Sequence, residues 1–137
     1  MLSWHFRPSL DAKRLRILVS PSATGLAGYA VVSFDPAPSG ATARAHLVDL
    51  QLREDDRGLA RRLIGAAYRA ARERELPMLQ VIGLDRFKRS VVLELGATRR
   101  TLPSWLYYYR ALAPDLAAPL ANPEVWDPSS YDGDASL

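Results

Sequence analysis

This sequence contains no cysteine, only two histidines and few lysines, and each shortage removes a class of chemistry. Without cysteine there is no disulfide, no thiolate nucleophile and no cysteine-based zinc site. His5 and His46 lie far apart in the sequence and cannot form a metal site without a third ligand, so we predict no metal. No apolar run approaches the roughly 20 residues that span a bilayer, and no positive-then-apolar leader opens the chain. We therefore expect a cytoplasmic protein with no membrane partner.

The charge is close to balanced, with a formal net charge of +3, and the basic side is almost entirely arginine. The planar guanidinium of arginine suits phosphates, which favours an anionic ligand over a cationic one. A nucleic-acid partner would need a more basic domain with exposed aromatic side chains among the charges, so we consider nucleic-acid binding the weakest of the alternatives. The composition is otherwise average for a soluble globular protein.

A length of 137 residues is typical of one domain with one core. We predict a single domain over residues 1–137. Within it we distinguish an N-terminal arm at residues 1–12, a core at residues 13–112, and a C-terminal helix and tail at residues 113–137.

A strand-helix-strand unit is the clearest pattern in the chain. Residues Ala45 to Leu52 are short and rich in apolar side chains, which is typical of a mostly buried strand. In the polar turn that follows, Asp55 or Asp56 can cap a helix. Apolar residues at three- and four-residue steps predict that helix over Arg57 to Glu75, and a second strand follows at Met78 to Ile82. The two strands of such a crossover are expected to be parallel.

Other patterns extend this unit on both sides. Turn-forming segments separate three predicted strands with short links, which favours an antiparallel meander. The three strands of the meander are Lys13–Val19, Leu26–Phe34 and Ala43–Leu52. After the crossover we predict a helix that is capped by Asp85 and closed by Gly96, and then a strand pair at Ala97–Leu102 and Trp105–Leu112. A short helix is predicted at Pro114–Leu120. The predicted fold class is α/β (α+β), with a mixed, mainly antiparallel sheet and a central parallel β-α-β crossover.

The first turn of the long helix carries small residues at Gly58 and Ala60. Free N–H groups and the positive end of the helix dipole make such a turn able to bind a phosphate, if the side chains are small enough for close approach. The alternative explanation is that both residues are small for packing, which the spacing alone favours because short glycine motifs occur often by chance.

The order of elements resembles the GNAT superfamily of N-acetyltransferases, from the second strand of that family onward, over residues 13–112. The family signature of a strand followed by Gln/Arg-x-x-Gly-x-Gly/Ala falls on residues 55–60, Asp-Asp-Arg-Gly-Leu-Ala, and two of its three marked positions match. A Gly-Tyr strand is matched by Leu26–Ala30, and a helix ending in Leu-Gly is matched by Leu95-Gly96.

The resemblance implies an acyl-CoA site with acetyl-CoA as substrate and a small amine or peptide as acceptor. The implied cofactor-binding residues are Leu50, Leu52, Arg57, Gly58, Leu59, Ala60, Arg61 and Arg62. The candidate catalytic residues are Asp49, as the base that takes a proton from the amine, and Tyr108. Tyr108 is one of three adjacent tyrosines, Tyr107 to Tyr109, that could replace the family's tyrosine acid in protonating the leaving thiolate.

Three departures from the family pattern weaken the implied activity. Asp55 occupies the Gln/Arg position, where a carboxylate repels a pyrophosphate. Val92 occupies the position of the tyrosine acid. The first strand and the two helices that build the family's acceptor pocket have no counterpart in the 12 residues before Lys13. The chain is then part of a longer protein, or its acceptor pocket is incomplete or completed by a second subunit, as in a homodimer.

Two further features have a functional and a structural explanation. Asp49 is placed by strand alternation on the side of Leu47 and Gln51, with His46 on the opposite face, and it is either a catalytic base or a carboxylate held by its neighbours. The exposed arginines of the long helix either receive the phosphates of CoA or are simply solvated, as most such faces are. They are Arg61, Arg62, Arg69 and Arg72.

Two functional hypotheses remain at nearly equal weight. The first is an acyl-CoA-dependent N-acyltransferase, and the second is a catalytically inactive GNAT-like domain with a structural or interaction role.

Overall fold

The computed structural model describes residues 9–35, 43–81, 83–100 and 110–126. In these residues four strands form one sheet, in the spatial order of the chain. The strands are β1 (Leu15–Ser22), β2 (Gly25–Asp35), β3 (Arg44–Leu52) and β4 (Leu79–Val81). The helices are α1 (Arg57–Arg72), α2 (Arg86–Glu94) and α3 (Ala117–Leu120), with 3-10 turns at Pro114–Leu116 and Pro123–Val125.

The sheet combines an antiparallel meander with one parallel pair. Strand β1 pairs with β2 and β2 pairs with β3 in antiparallel register, whereas β3 pairs with β4 in parallel register. Helix α1 connects β3 to β4, as parallel strands require. The predicted meander, the crossover and the mixed fold class are confirmed.

Helix α1 packs on one face of the sheet through a stripe of small and branched apolar side chains. Its buried residues recur at three- and four-residue steps, which is the period of one helix face. They are Leu59, Ala60, Leu63, Ile64, Ala67, Ala70 and Ala71. Val91 of α2 belongs to the same core cluster. On the opposite face of the sheet, Leu15, Val31 and Val48 form a second, smaller buried cluster.

Each of the two longer helices is followed by a residue in the left-handed conformation. In α2 this is Gly96, with φ of 87°, and the N–H of Ala97 bonds to the carbonyl of Val92, which confirms the predicted stop. Helix α1 ends at Arg72, earlier than predicted, because Glu75 adopts φ of 57° and the chain leaves the helix through the same type of closing turn. A non-glycine residue here carries a conformational cost.

The predicted strand pair near the C-terminus is not seen where the structure describes it. Residues 97–100 and 110–112 are in no strand, and residues 101–109 lie outside the described residues. The short helix predicted at Pro114–Leu120 is present as a 3-10 turn that continues into α3. None of the helices in the described ranges is both long and apolar enough to cross a bilayer.

Candidate functional site

Strand β3 contains a β-bulge at its centre. Val31 of β2 pairs with Asp49, but the next residue, Val32, pairs with Leu47, so Val48 is the extra residue. A bulge bends the strand and re-aims the side chains that follow it. Among the described residues, pairing with β4 covers Ala45 to Leu47, directly before the bulge. The described pairing of the two parallel strands therefore stops where β3 has its bulge, and Ile82, which follows β4, lies outside the described residues.

Beyond the bulge, alternate backbone groups of β3 point away from β2, toward the edge on which the first part of β3 pairs with β4. The N–H of Arg53 bonds to the carbonyl of Ala27, so the antiparallel bonds to β2 fall on every second residue from Arg53 back to Asp49. The N–H and C=O groups of Leu50 and Leu52 therefore face away from β2. Their side chains pack on the core cluster under α1.

Asp49 lies on the opposite face of the sheet and is 9% exposed. Tyr29 Oη donates a hydrogen bond of 2.8 Å to Oδ2, and Gln51 Nε2 donates one of 3.0 Å to Oδ1. Burial raises the pKa of the Tyr29 phenol to about 12, with the hydrogen bond to Asp49 as the second cause. The phenol therefore stays protonated at neutral pH and donates to the carboxylate. Each carboxylate oxygen has a second lone pair that can accept a further hydrogen bond.

The bulge corrects the face assignment of the sequence analysis. Residues opposite each other on paired strands point to the same face, and Ser33 opposes His46 while Val31 opposes Asp49. Ser33 and Val31 alternate with Val32, so they share a face. His46 and Asp49 are therefore on one face, and Asp49 is on the face opposite Leu47. Simple alternation was wrong because it does not allow for the extra residue.

The first turn of α1 is capped by Asp56, one of the two aspartates predicted for this role. Its Oδ1 accepts a 2.9 Å hydrogen bond from the N–H of Leu59, and its carbonyl accepts the N–H of Ala60. The N–H groups of Arg57 and Gly58 lie ahead of this first helical bond. A Cβ at Gly58 would lie 3.2 Å from Asp56 Oδ1, so close packing against the cap also favours glycine here.

Glu94 at the end of α2 binds two of the arginines beside this turn. Its Oε1 accepts from Arg57, and its Oε2 accepts from Arg61 at 2.7 Å. Hydrogen bonds from Arg61 and Arg57 lower the pKa of the Glu94 carboxyl, so this ion pair persists at neutral pH and is lost only as the pH falls through the lowered value. Arg57 also lies over the Phe87 ring, 5.5 Å from its centroid.

A groove of about 590 Å³ lies between the start of α1 and the first half of α2. Its third side comes from the C-terminal segment. The lining consists of Asp55, Arg57, Asp85, Arg86, Phe87, Ser90, Val125 and Trp126. It therefore combines two aromatic rings with two carboxylates and two guanidinium groups.

The structure brings the predicted residues together only in part. The predicted cofactor residues lie at the open edge of β3 and on the first turn and a half of α1, next to one another in the chain. Asp49 lies on the other face of the sheet. Val92 is partly buried against the core, and Tyr108 lies outside the described residues. The exposed arginine face is confirmed as exposed, with Arg61 held by Glu94.

Sequence reasoning missed the partners of Asp49 and the role of Glu94. Gln51 could have been found, because residues two apart share a strand face. Predicting the contact of Tyr29 with Asp49 requires the register of β2 on β3. Predicting the ion pairs of Glu94 requires the packing of α2 beside α1. No cluster of three or more potential metal ligands occurs in the described part of the chain.

No protein-family model matches this chain, and no curated protein sequence matches it. Its structure is similar to several solved structures. One is a predicted acetyltransferase with acetyl-CoA from Clostridium acetobutylicum, with 17% identity and a TM-score of 0.61, covering 79% of this chain and 72% of that one. A second is a ribosomal-protein-alanine N-acetyltransferase from Brucella melitensis biovar Abortus 2308, with 17% identity and a TM-score of 0.58, covering 77% and 79%.

A third similar structure belongs to a protein named for a different role. It is a transcriptional regulator from Bacillus halodurans C-125, with 18% identity and a TM-score of 0.63, covering 77% of this chain and 73% of that one. At these identities the likeness concerns the fold, and it leaves the chemistry to be argued from this chain's own residues.

Proposed function

Because this chain has the GNAT acetyltransferase fold, we propose that it binds an acyl-CoA and transfers the acyl group to an amine. The observation that carries the proposal is the bulge of β3, which lies between the described pairing with β4 and the first turn of α1. An extended thioester can lie along the open edge of β3, with hydrogen bonds to the backbone of Leu50 and Leu52. The pyrophosphate then meets the free N–H groups of Arg57 and Gly58.

Asp49 is the base in this proposal. An amine bound on the second face of the sheet gives a proton to the carboxylate, attacks the thioester carbonyl, and forms the amide as CoA leaves as the thiolate. Tyr29 and Gln51 hold both carboxylate oxygens in a fixed orientation, which supports a positioned base. Tyr29 itself is a poor acid because of its raised pKa, so the proton for the thiolate comes from Tyr108 or from water.

A second candidate function is a GNAT-fold domain without acyl transfer. Three observations favour it. Asp56 places a carboxylate on the phosphate-binding turn, Glu94 occupies two nearby arginines, and Val92 cannot donate a proton. This candidate predicts no affinity for acyl-CoA.

A pair of variants at Arg57 tests the proposed backbone contact. Arg57→Ala removes the side chain, and Arg57→Pro removes the side chain and the N–H together. Proline is well tolerated at the first helical position, and the extended backbone of Asp56, with ψ of 102°, suits the residue before a proline.

Acetyl-CoA affinity is measured by calorimetry for both variants and for the unchanged chain. We expect Arg57→Pro to bind roughly tenfold more weakly than Arg57→Ala, because a hydrogen bond to a charged group contributes about 1.5 kcal/mol or more. Equal affinities would contradict the backbone contact. No binding by the unchanged chain would favour the second candidate.

A further inference from the structure

The exposed face of helix α1 carries charge of one sign. From Arg57 to Arg72 the helix contains five arginines and no acidic residue. Opposite charges one turn apart stabilise a helix and like charges destabilise it, so a face that is only solvated usually mixes both signs. The formal net charge of the whole chain is +3, so this one helix carries more positive charge than the chain does on balance.

The acidic side chains that contact neighbouring arginines leave most of this face unpaired. Glu94 pairs with the two arginines nearest the start of the helix, and Glu73 pairs with Arg16 of β1 at 2.6 Å. The other three arginines of α1 form no ion pair with any residue in the described ranges. They are Arg62, Arg69 and Arg72, and all three are exposed.

Two of these three guanidinium groups lie back along the helix over a glycine. A Cβ at Gly58 would lie 3.5 Å from Nη1 of Arg62, and a Cβ at Gly65 would lie 3.6 Å from Nη1 of Arg69. The two glycine-arginine pairs are seven residues apart, which is nearly two turns, so they are almost in line on the helix surface. The arginines therefore form a low row of cations along α1.

An exposed aromatic ring stands beside this row. Tyr68 is 52% exposed, although large aromatic side chains are usually buried. It precedes Arg69 directly and is one turn before Arg72, so its ring is next to two of the unpaired arginines on the helix surface. Exposed aromatic rings among cations are the feature that single-stranded nucleic acids use, because bases stack on the rings while the backbone phosphates meet the cations.

We propose that this basic face, defined by Arg62, Gly65, Tyr68, Arg69 and Arg72, binds a single-stranded nucleic acid. The guanidinium groups bind successive phosphates, and one base stacks on Tyr68. An acidic protein surface would complement the arginines but would leave the exposed ring without a role, and the bases of a duplex are not free to stack on it.

The proposal is independent of acyl transfer. Arg69 lies about 17 Å along the helix from Gly58, so Arg69 and Arg72 are not explained by the pyrophosphate contact proposed at the first turn. Binding at the basic face depends on the phosphate backbone and on stacking, so we expect little sequence preference and a strong dependence on salt.

The test measures fluorescence anisotropy on the full chain with a labelled single-stranded RNA of about 12 nucleotides, within the usual range of site sizes. A duplex of the same sequence and a polyglutamate peptide are the comparison probes. The double variant Arg69→Ala/Arg72→Ala removes two arginines of the basic face. Arg89→Ala/Arg99→Ala is the matched control, because it removes the same charge at exposed positions outside α1. Circular dichroism verifies that each variant is folded.

We expect the variant at Arg69 and Arg72 to bind the RNA more weakly than the control. Its slope of log affinity against log salt concentration should be smaller by about 1.4, from about 0.7 for each lost phosphate contact. Tyr68→Ala should weaken RNA binding roughly 5- to 150-fold, the range for loss of one stacked base, and Tyr68→Phe should retain most of the affinity.

Four results would overturn the proposal. Equal losses in the two double variants would mean that binding follows net charge alone. Duplex or polyglutamate binding as tight as that of the single strand would assign the face to another partner. An unchanged RNA affinity in Tyr68→Ala would exclude the stacked base, and no RNA binding at low salt would exclude the site.

Discussion

Helices α1 and α2 begin in nearly the same way, but the capping aspartates differ in their ion-pair partners. Asp56 and Asp85 each accept a hydrogen bond from the backbone three residues on, at 2.9 and 2.7 Å. Asp85 also pairs with Lys88, whose Nζ lies 3.2 Å from Oδ2 and whose side chain is 5% exposed. Among the described residues, Asp56 forms no ion pair of this kind, and the arginines beside it pair with Glu94 instead.

This difference indicates two roles for one capping motif. At α2 the aspartate is part of a largely buried ion pair, so its charge contributes to the stability of the helix. At α1 the aspartate has no ion-pair partner within the described part of the chain, and it stands where the proposed pyrophosphate would bind. Under the proposed function, the cap of α1 stabilises the helix and weakens anion binding. The following variants test this comparison of the two helix starts.

The largest effect is expected at Asp85. Asp85→Ala removes the cap and one carboxylate that pairs with the buried Lys88, which should lower the free energy of unfolding by about 3 kcal/mol. Urea denaturation measures the change. Asp85→Asn keeps the cap and removes only the charge, so it isolates the ion pair. A loss of 1 kcal/mol or less in Asp85→Ala would show that the pair adds nothing to the cap.

Removing the charge at the other cap should strengthen ligand binding. Asn caps helices as well as Asp does, so Asp56→Asn keeps the helix start and removes the repulsion. We expect acetyl-CoA to bind roughly 5- to 10-fold more tightly, from about 1 kcal/mol of repulsion at ~4 Å in water. The gain should shrink at high salt because salt screens the charge. An unchanged affinity at low salt would place the pyrophosphate elsewhere.

The stability cost of losing the α1 cap should be smaller than that at α2. Asp56→Ala removes one hydrogen bond to the N–H of Leu59 and disturbs no ion pair in the described residues, so we expect a loss of about 1 kcal/mol. The same denaturation experiment measures it. Losses of equal size in Asp56→Ala and Asp85→Ala would remove the distinction between the two helix starts.

The smallest effect is expected at Glu94. Glu94→Gln releases Arg57 and Arg61 for the phosphates, and we expect a roughly two- to fivefold gain in acetyl-CoA affinity, as is usual for exposed ion pairs. Calorimetry at low salt measures it. A weaker affinity would mean that Glu94 positions the arginines for the ligand rather than competing with it.

The fold could be predicted from the sequence because its elements are short and periodic and are separated by capping and turn-forming residues. The apolar steps of α1, Asp85 as a cap and Gly96 as a stop are local signals, and each appears in the structure. The end of α1 was misplaced because Glu75 takes a conformation usually given to glycine. The segment after Gly96 was predicted as strand from propensity alone, which does not determine pairing.

The site was predicted less completely, for a physical reason. The bulge at Val48 depends on how β2 and β3 align, and no local sequence pattern predicts it. For this reason Asp49 was assigned to the wrong face of the sheet relative to Leu47 and His46. The Glu94 ion pairs and the groove wall at Trp126 depend on contacts between distant segments. The resemblance placed a glycine turn at the start of the long helix, where the structure has it, but carried no information on these contacts.

The central claim is that the first turn of α1 binds the pyrophosphate of an acyl-CoA, and amide NMR shifts during an acetyl-CoA titration test it most directly. The account predicts saturable shifts at the amides of Arg57 and Gly58, larger than those at the start of α2, where Asp85 is already paired. The absence of any shift at Arg57 and Gly58 at millimolar acetyl-CoA would contradict it.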